Sequence, residues 1–548
     1  MVGEHDAGAG SGSHRHDAGT DRTADAPEGS KSTPRRRYLG ALTATIAGLA
    51  GCSSISDGSD SGDDSETNGE AAGTASLATL DVSLASERVG QTRPVTVDVT
   101  VGNGDAKAFE GSTYLEGADG PTPGTPISLA PGERTTVTFE PEYVMVGERT
   151  VTATVNGQHA DAEPGVTVDR SASAQLHVEQ FPEDFLETDG TTLTCGDGVA
   201  YVAGSTPAEL NDPPLEPGEI EDIFALFERL GLTGARVWGY ASRWSNMRSI
   251  PEPYSYNEAF FEYFDRVIVE AKRRGIRLFV PMFNGNPAYG EVTEDDLGTN
   301  VPQFVRWADD AETYNDFFTS EECREMYTDW VETLLTHENH LTGVEYRNEP
   351  TIALWELGNE IQHADDRIGE TIRPWIEDVG AFVQELDGTH PLSVGSYGHQ
   401  GRNAFVEDNL ADPIDVVSIH YYPGPLHYDL PEDEVVPLLE ETIQTAHEEI
   451  GKPLYVGEYD WGIDTETDPP YEDRVAWFDR LHEVFASHDV AATNQWTIQA
   501  RPRSDAEPWE LNAVFAPSDE ESTAAIERYA ARLGEKSTTS CSPFGEET

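Results

Sequence analysis

Between residues 77 and 170 apolar and polar positions alternate, and the apolar ones are mostly Val. "TLDVSLAS", "PVTVDVTVGN", "RTTVTFEP" and "RTVTATVNG" each carry the period-two pattern of a half-buried strand, and turn stretches such as "NGDA" and "APGE" separate them. Short strands at regular spacing predict an antiparallel β-sandwich over 77–172. From 176 to 535 the texture changes. Apolar runs now alternate with amphipathic stretches such as "EIEDIFALFERLG", "NEAFFEYFDRVIVEAKRRG" and "RVAWFDRLHEVFASH". The runs are "GVAYVAG" (198–204), "GARVWGY" (234–240), "RLFVPMF" (277–283), "ALWELGNE" (353–360), "PLSVGS" (391–396), "VVSIHYY" (416–422), "PLYVGEYD" (453–460) and "ATNQWTI" (492–498). Eight strand-then-helix units close as a (β/α)8 barrel, whose chemistry sits at the strand C-terminal ends. The fold class expected is therefore α/β, a (β/α)8 barrel behind a small all-β sandwich.

Polar and aromatic groups recur at that rim. Strand 2 delivers Arg236, Trp238 and Tyr240, and strand 3 leads into Asn284. Strand 4 ends in Asn359–Glu360, strand 6 gives His420 and Tyr422, strand 7 gives Glu458 and leads into Trp461, and strand 8 gives Trp496. An unpaired buried carboxylate costs several kcal/mol, so two on facing strands demand a use. Paired carboxylates are what glycosidic cleavage needs: one is protonated to serve the leaving oxygen, the other ionised. Asn359 beside Glu360 suits a sugar hydroxyl, which favours Glu360 as acid/base. Arg236 and a Tyr hydroxyl near Glu458 would hold it ionised as the nucleophile. Trp238, Tyr240, Trp244, Trp307 and Trp461 suit either sugar stacking or core packing.

Two other motifs invite misreading. In "HENH" (337–340) the second His falls at i+3, not at the i+4 of a zinc helix, so no metal site is expected there. "NEP" (348–350) puts Glu349 before a proline, where extended backbone is favoured, and reads as a turn before strand 4.

"YRNEPTIALWELGNE" (346–360), "GLTGARVWGY" (231–240), "VVSIHYYPG" (416–424), "KPLYVGEYDW" (452–461) and "NQWTI" (494–498) resemble the matching segments of glycoside hydrolase family 5, nearest its endo-β-1,4-mannanases. The run "FFTSEECREMYTDWVETLLTHENHLTGVEYRNEPTI" (317–352) is similar to the approach to strand 4 in those enzymes. The resemblance implies a retaining double displacement, with Glu360 as acid/base and Glu458 as nucleophile. It further implies that Arg236, Asn359, His420, Tyr422 and Trp496 line the cleavage site, that no cofactor takes part, and that the partner is a polysaccharide. The chain departs from the pattern at "FNGNPAYGE" (283–291) and at Ile361, where Pro is common. Another family 5 activity, on β-glucan or short mannosides, is the alternative; an inactive glycan-binding barrel is the other. In the expected sandwich, "VTVGNGDAKA" and "ISLAPGERTTVTF" resemble immunoglobulin-like modules.

Charge and cysteines then say where such a protein works. Acidic residues number 101 against 35 basic ones, for a net charge of −66 spread along the chain, and only five of the basic residues are Lys. That balance argues against a nucleic-acid partner and fits molar salt, where the Debye length shrinks to about 3 Å. "RRRYLGALTATIAGLAGC" (35–52) reads as an export signal too short to span a bilayer. Arg35–Leu39 resembles a twin-arginine signal, and "LAGC" resembles a lipobox with Cys52 as the lipid-bearing residue. This gives a surface lipoprotein held to the membrane, with residues 53–76 as an acidic, disordered tether. Cys195, Cys323 and Cys541 show no metal-ligand spacing, and a Cys195–Cys541 bridge is compatible with an oxidising compartment.

Overall fold

The computed structural model describes residue 77 and residues 79–119, 122–160, 167–182, 184–242, 245, 247–286, 298–364, 370–398, 401–424, 430–461, 470–500, 513–516 and 519–539. The signal, Cys52, the tether, Trp244 and Cys541 lie outside them.

The Val- and Thr-rich alternation becomes two sheets. Thr79–Leu84, Val97–Gly102 and Arg134–Phe139 form one, antiparallel throughout. Arg88–Gly90, Val168–Glu179, Gly147–His159, Phe109–Glu116 and Thr125–Leu129 form the other, in that order. Their inward positions, among them Val97, Val99, Val101, Phe109, Val151, Val155 and Leu176, are buried in one shared core. The last strand runs to Glu179, past the boundary at 172 that composition suggested.

The barrel strands are Val202–Pro207 (β1), Gly234–Arg236 (β2), Arg277–Pro281 (β3), Ile352–Glu356 (β4), Leu392–Ser393 (β5), Val417–Tyr421 (β6), Leu454–Tyr459 (β7) and Ala492–Gln499 (β8). All neighbours are parallel in the order β5-β4-β3-β2-β1-β8-β7-β6, and one bridge, Ser393 to Val416, joins β5 to β6. These strands are buried on both faces, which is why they read as apolar runs rather than as alternation. One predicted strand is redrawn. Gly198–Ala200 belongs to a small antiparallel sheet with Thr192–Cys195 and Leu186–Asp189, and β1 begins only at Val202. Leu186, Leu193 and Ala200 of that sheet pack with Phe279, Leu354 and Tyr455, closing the N-terminal end of the barrel. Cys195 is disulfide-bonded, with its partner outside the described residues, and Cys323 is free and buried. Among the described residues no helix is long and apolar enough to cross a membrane.

The sandwich and the barrel are locked together by Lys272, on the barrel helix Glu258–Arg273. Its ammonium is fully buried, 2.9 Å from Glu349, and donates to Gln91 Oε1 at 2.8 Å and the Phe181 carbonyl at 2.6 Å, both on the sandwich side. Glu349 of the "NEP" turn is thus half of a buried ion pair. Two other lysines of the barrel unit are also engaged. Lys452 donates to the Asn409 and Ala411 carbonyls; Lys536 pairs with Asp489 and lies over the Tyr201 ring. Lys107, on the sandwich, is exposed.

Candidate active site

The chemistry-bearing side chains converge at the C-terminal end of the strands. Arg236 closes β2 and is completely buried. Its Nε and Nη2 donate to the two carboxylate oxygens of Glu356 at 2.9 and 2.8 Å, Nη1 donates to Glu458 Oε1 at 2.5 Å, and Nη2 also donates to Asn359 Oδ1 at 2.9 Å. One guanidinium therefore ties β2, β4 and β7 together, using the planar fork that makes Arg suited to this.

β4 stops at Glu356, but its backbone keeps pairing beyond. Leu357 N–H donates to Ser393, Asn359 N–H to Phe283 at 2.6 Å, and Gly285 N–H to Asn359 at 2.8 Å. Glu360 follows in a left-handed conformation, φ 57°, uncommon for a residue with a Cβ. That turn swings its carboxyl back into the barrel mouth, where it is buried. Outliers of this kind cost about 1–3 kcal/mol and persist where the surroundings impose them.

Strand irregularities aim the remaining groups. The β6–β7 ladder slips between Ile419 and His420, bringing His420 opposite Glu458, and the β7–β8 ladder slips between Val456 and Tyr459. Such bulges re-aim side chains near active sites. His420 Nδ1 lies 2.8 Å from Glu360 Oε1 and 3.3 Å from Glu458 Oε2, and the Tyr422 hydroxyl donates to Glu458 Oε2. Oxygens of Glu360 and Glu458 and a nitrogen of His420 all fall within 4.8 Å of one another. The trio is compact enough to hold a cation, but the Arg236 charge already on Glu458 opposes one.

Burial raises the pKa of both carboxyls, that of Glu360 to about 7. Arg236 pulls the Glu458 pKa down, as expected of a nearby cation, but desolvation outweighs that pull and the pull of His420. Within the pair the proton still belongs on Glu360. Glu458 accepts directly from Arg236 and from the Tyr422 hydroxyl, whereas Glu360 meets the Asn286 amide and His420 and feels the Arg236 charge without a direct hydrogen bond from it among the described residues. Burial also lowers the His420 pKa to about 4, so its imidazole is neutral at neutral pH.

Asn284 accepts from the Asn359 amide at 3.3 Å and so braces the residue before Glu360. Trp238 stacks on Tyr240 (centroids 5.2 Å apart) and on Trp496 (6.2 Å), forming an aromatic wall from β2 to β8 in which Trp496 is half-buried. Trp461 is placed differently, stacked at 4.2 Å on Trp477 from the following helix, which covers one ring face. Trp307 packs against Phe304. His337 and His340 of "HENH" both face the buried Asp265, which also accepts from the Tyr346 hydroxyl at 2.6 Å.

Two members of the site escaped the sequence reading. Glu356 sits inside "ALWE", where its apolar neighbours make it read as part of the strand's packing. A lone acid in a strand buried on both faces, with a buried Arg on a nearby strand, was the available signal. Asn286, whose amide donates to Glu360, lies in the atypical segment after β3 and offered none.

The family described as "GH family 5 beta-mannosidase-like" matches residues 245–516. Mannan endo-1,4-beta-mannosidase 2 of Oryza sativa subsp. japonica is 30% identical over 323 residues, covering 53% of this chain and 68% of the relative. Its Arabidopsis thaliana namesake is 29% identical over 321 residues, covering 53% and 72%. Among solved structures, the endo-1,4-beta-mannanase from Rhizomucor miehei shares the fold with a TM-score of 0.53 at 20% identity, over 64% of this chain and 99% of that one. The endo-beta-1,4-mannanase from Thermotoga petrophila does so with 0.52 at 22% identity, over 61% and 77%. Those structures speak for the barrel; the rice relative, alike in sequence across two thirds of its length, speaks for kinship, and on that ground the chain is a glycoside hydrolase belonging to family 5, near the endo-mannanases.

Proposed function

We propose that this enzyme hydrolyses β-1,4-mannan with retention of configuration, by double displacement. The observation that carries the reading is the approach of Glu360 and Glu458 to within 4.8 Å, oxygen to oxygen. Carboxyls about 5–5.5 Å apart leave no room for a water between acid and base, and the second carboxylate must attack the sugar itself. Glu458 attacks C1, the C1–O bond to the leaving sugar breaks, and Glu360 gives its proton to the departing oxygen. A water then returns a proton to Glu360 as its oxygen bonds C1 and the C1–Glu458 bond breaks. Arg236 and Tyr422 keep Glu458 ionised and aimed; His420, neutral, holds Glu360 in register. Asn359 and Asn284 line the cleavage site, and Trp238, Trp461 and Trp496 bear on the sugar rings.

The substrate class is supported by the two mannan endo-1,4-beta-mannosidases of rice and Arabidopsis. We further infer a salt-adapted protein tethered outside the cell through Cys52; this rests on sequence, and a Cys52→Ser chain released into the medium supports it. The decisive assay is reducing-sugar release from mannan, glucomannan and cellulose in molar salt, with the first-formed anomer read by NMR. Mannan turnover giving the β-anomer, and its loss in both Glu360→Gln and Glu458→Gln, is expected. An α-anomer, or undiminished turnover in either variant, refutes the mechanism.

A further inference from the structure

Of the groups in the barrel mouth, Glu356 has no part in the reaction just described. It is fully buried on β4, and both its oxygens are taken by Arg236 in a bidentate pair. Room is kept for it. At Gly395, which has φ 76°, a Cβ would stand 2.9 Å from Glu356 Oε2 and closer still to the Gly358 carbonyl, so only glycine fits. Arg236 in turn spends one nitrogen on Glu458 and shares another with Asn359.

We propose that Glu356 is a positioning residue: by sharing the Arg236 guanidinium with Glu458, it fixes where that cation points and how much of its charge the reacting carboxyls feel. The inference rests on the assignment of Glu360 and Glu458 as acid/base and nucleophile. Without Glu356, Nε and part of Nη2 lose their acceptors, and the guanidinium is free to rotate from Glu458. An uncompensated positive charge would also stand under both reacting groups. The charged and titratable groups around it are Glu458 and Tyr455 from β7, Glu360 beyond β4, and His420 and Tyr422 from β6. A stronger positive field favours the ionised form of each carboxyl. Glu360, which must be protonated, would lose its proton at lower pH, and Glu458 would ionise at lower pH.

The test separates charge from geometry. In Glu356→Gln the amide keeps the shape and drops the charge; both limbs of the pH profile of kcat/KM on mannan should move to lower pH, the alkaline one by roughly half a unit or more. In Glu356→Asp the charge stays but the shorter arm cannot hold the fork; the limbs should remain, and kcat should fall roughly tenfold or more with KM little changed. The protonated-carboxyl C=O band, followed by infrared spectroscopy across pH and referenced to Glu360→Gln in the same background so that Asp460 and Asp408 cancel, reports the Glu360 titration without turnover. It therefore judges this inference even if mannan is not the substrate. A folded Glu356→Gln whose limbs and infrared titration match the parent overturns the proposal. If Glu356→Gln does not fold, Glu356→Asp decides: a drop in kcat alone sustains the positioning role, and an unchanged kcat overturns it.

Discussion

Glu360 should make the folded protein less stable as pH rises, and replacing it should remove that burden. Its pKa is raised from the ordinary 4.5 to about 7, chiefly by burial. Between those values the folded state holds a proton that the unfolded chain has released, so stability falls with rising pH across this window. Below pH 4.5 both states are protonated and the group is neutral in effect; above about 7 the full loss applies. At 1.36 kcal/mol for each of roughly 2.5 pH units, that loss is about 3 kcal/mol. Glu360→Gln cannot ionise and escapes it. Comparing the variant with its parent cancels the titration of the acidic surface, and His420 titrates lower, at about 4. The measurement is thermal unfolding of both proteins in molar salt from pH 4.5 to 8. The Tm of the variant relative to the parent should climb by about 4–6 °C over that range, since a large domain moves about 2 °C or less per kcal/mol. The climb should end near pH 7. A difference that is flat with pH, or that shrinks as pH rises, refutes the idea that Glu360 is kept protonated by burial.

Lys272→Met leaves Glu349 buried without its cation and strips Gln91 and Phe181 of their donor; about 3–5 kcal/mol of destabilisation is expected by thermal or urea unfolding, with much of it recovered when Glu349 is neutralised too. A Tm within a degree of the parent would count against a firm junction between sandwich and barrel. Trp496→Ala should raise KM on mannan about tenfold, the effect of losing ~1–2 kcal/mol of ring contact, with a smaller change in kcat; an unchanged KM would remove Trp496 from the sugar path. Dilution from molar salt to ~0.1 M lengthens the screening distance to about 10 Å. With a net charge of −66, far-UV circular dichroism should then show unfolding, and a fold that persists would argue against salt adaptation.

The barrel was readable because parallel strands covered on both faces leave continuous apolar runs, and "RLFVPMF" or "PLYVGEYD" have few other readings. Boundaries were not, because an apolar run does not record its partner. "GVAYVAG" looks continuous, yet Gly198–Ala200 pairs in a hairpin sheet and Val202 onward in the barrel. Glu360 and Glu458 stood out as acids at strand ends. Their protonation balance did not, since it depends on how completely the mouth is sealed, a property of the whole fold. Glu356 and Asn286 were hidden for opposite reasons, the first by apolar neighbours, the second by a segment unlike its counterparts.

The scarcity of lysine has a practical side. With Lys272 sealed inside, Lys452 tied to two carbonyls and Lys536 held between Asp489 and the Tyr201 ring, amine-directed reagents find Lys107 as the one exposed lysine among the described residues. That position is on the sandwich and not on the barrel that carries Glu360 and Glu458. Among the described lysines, ordinary succinimide chemistry in concentrated brine would therefore reach Lys107, on the sandwich, first.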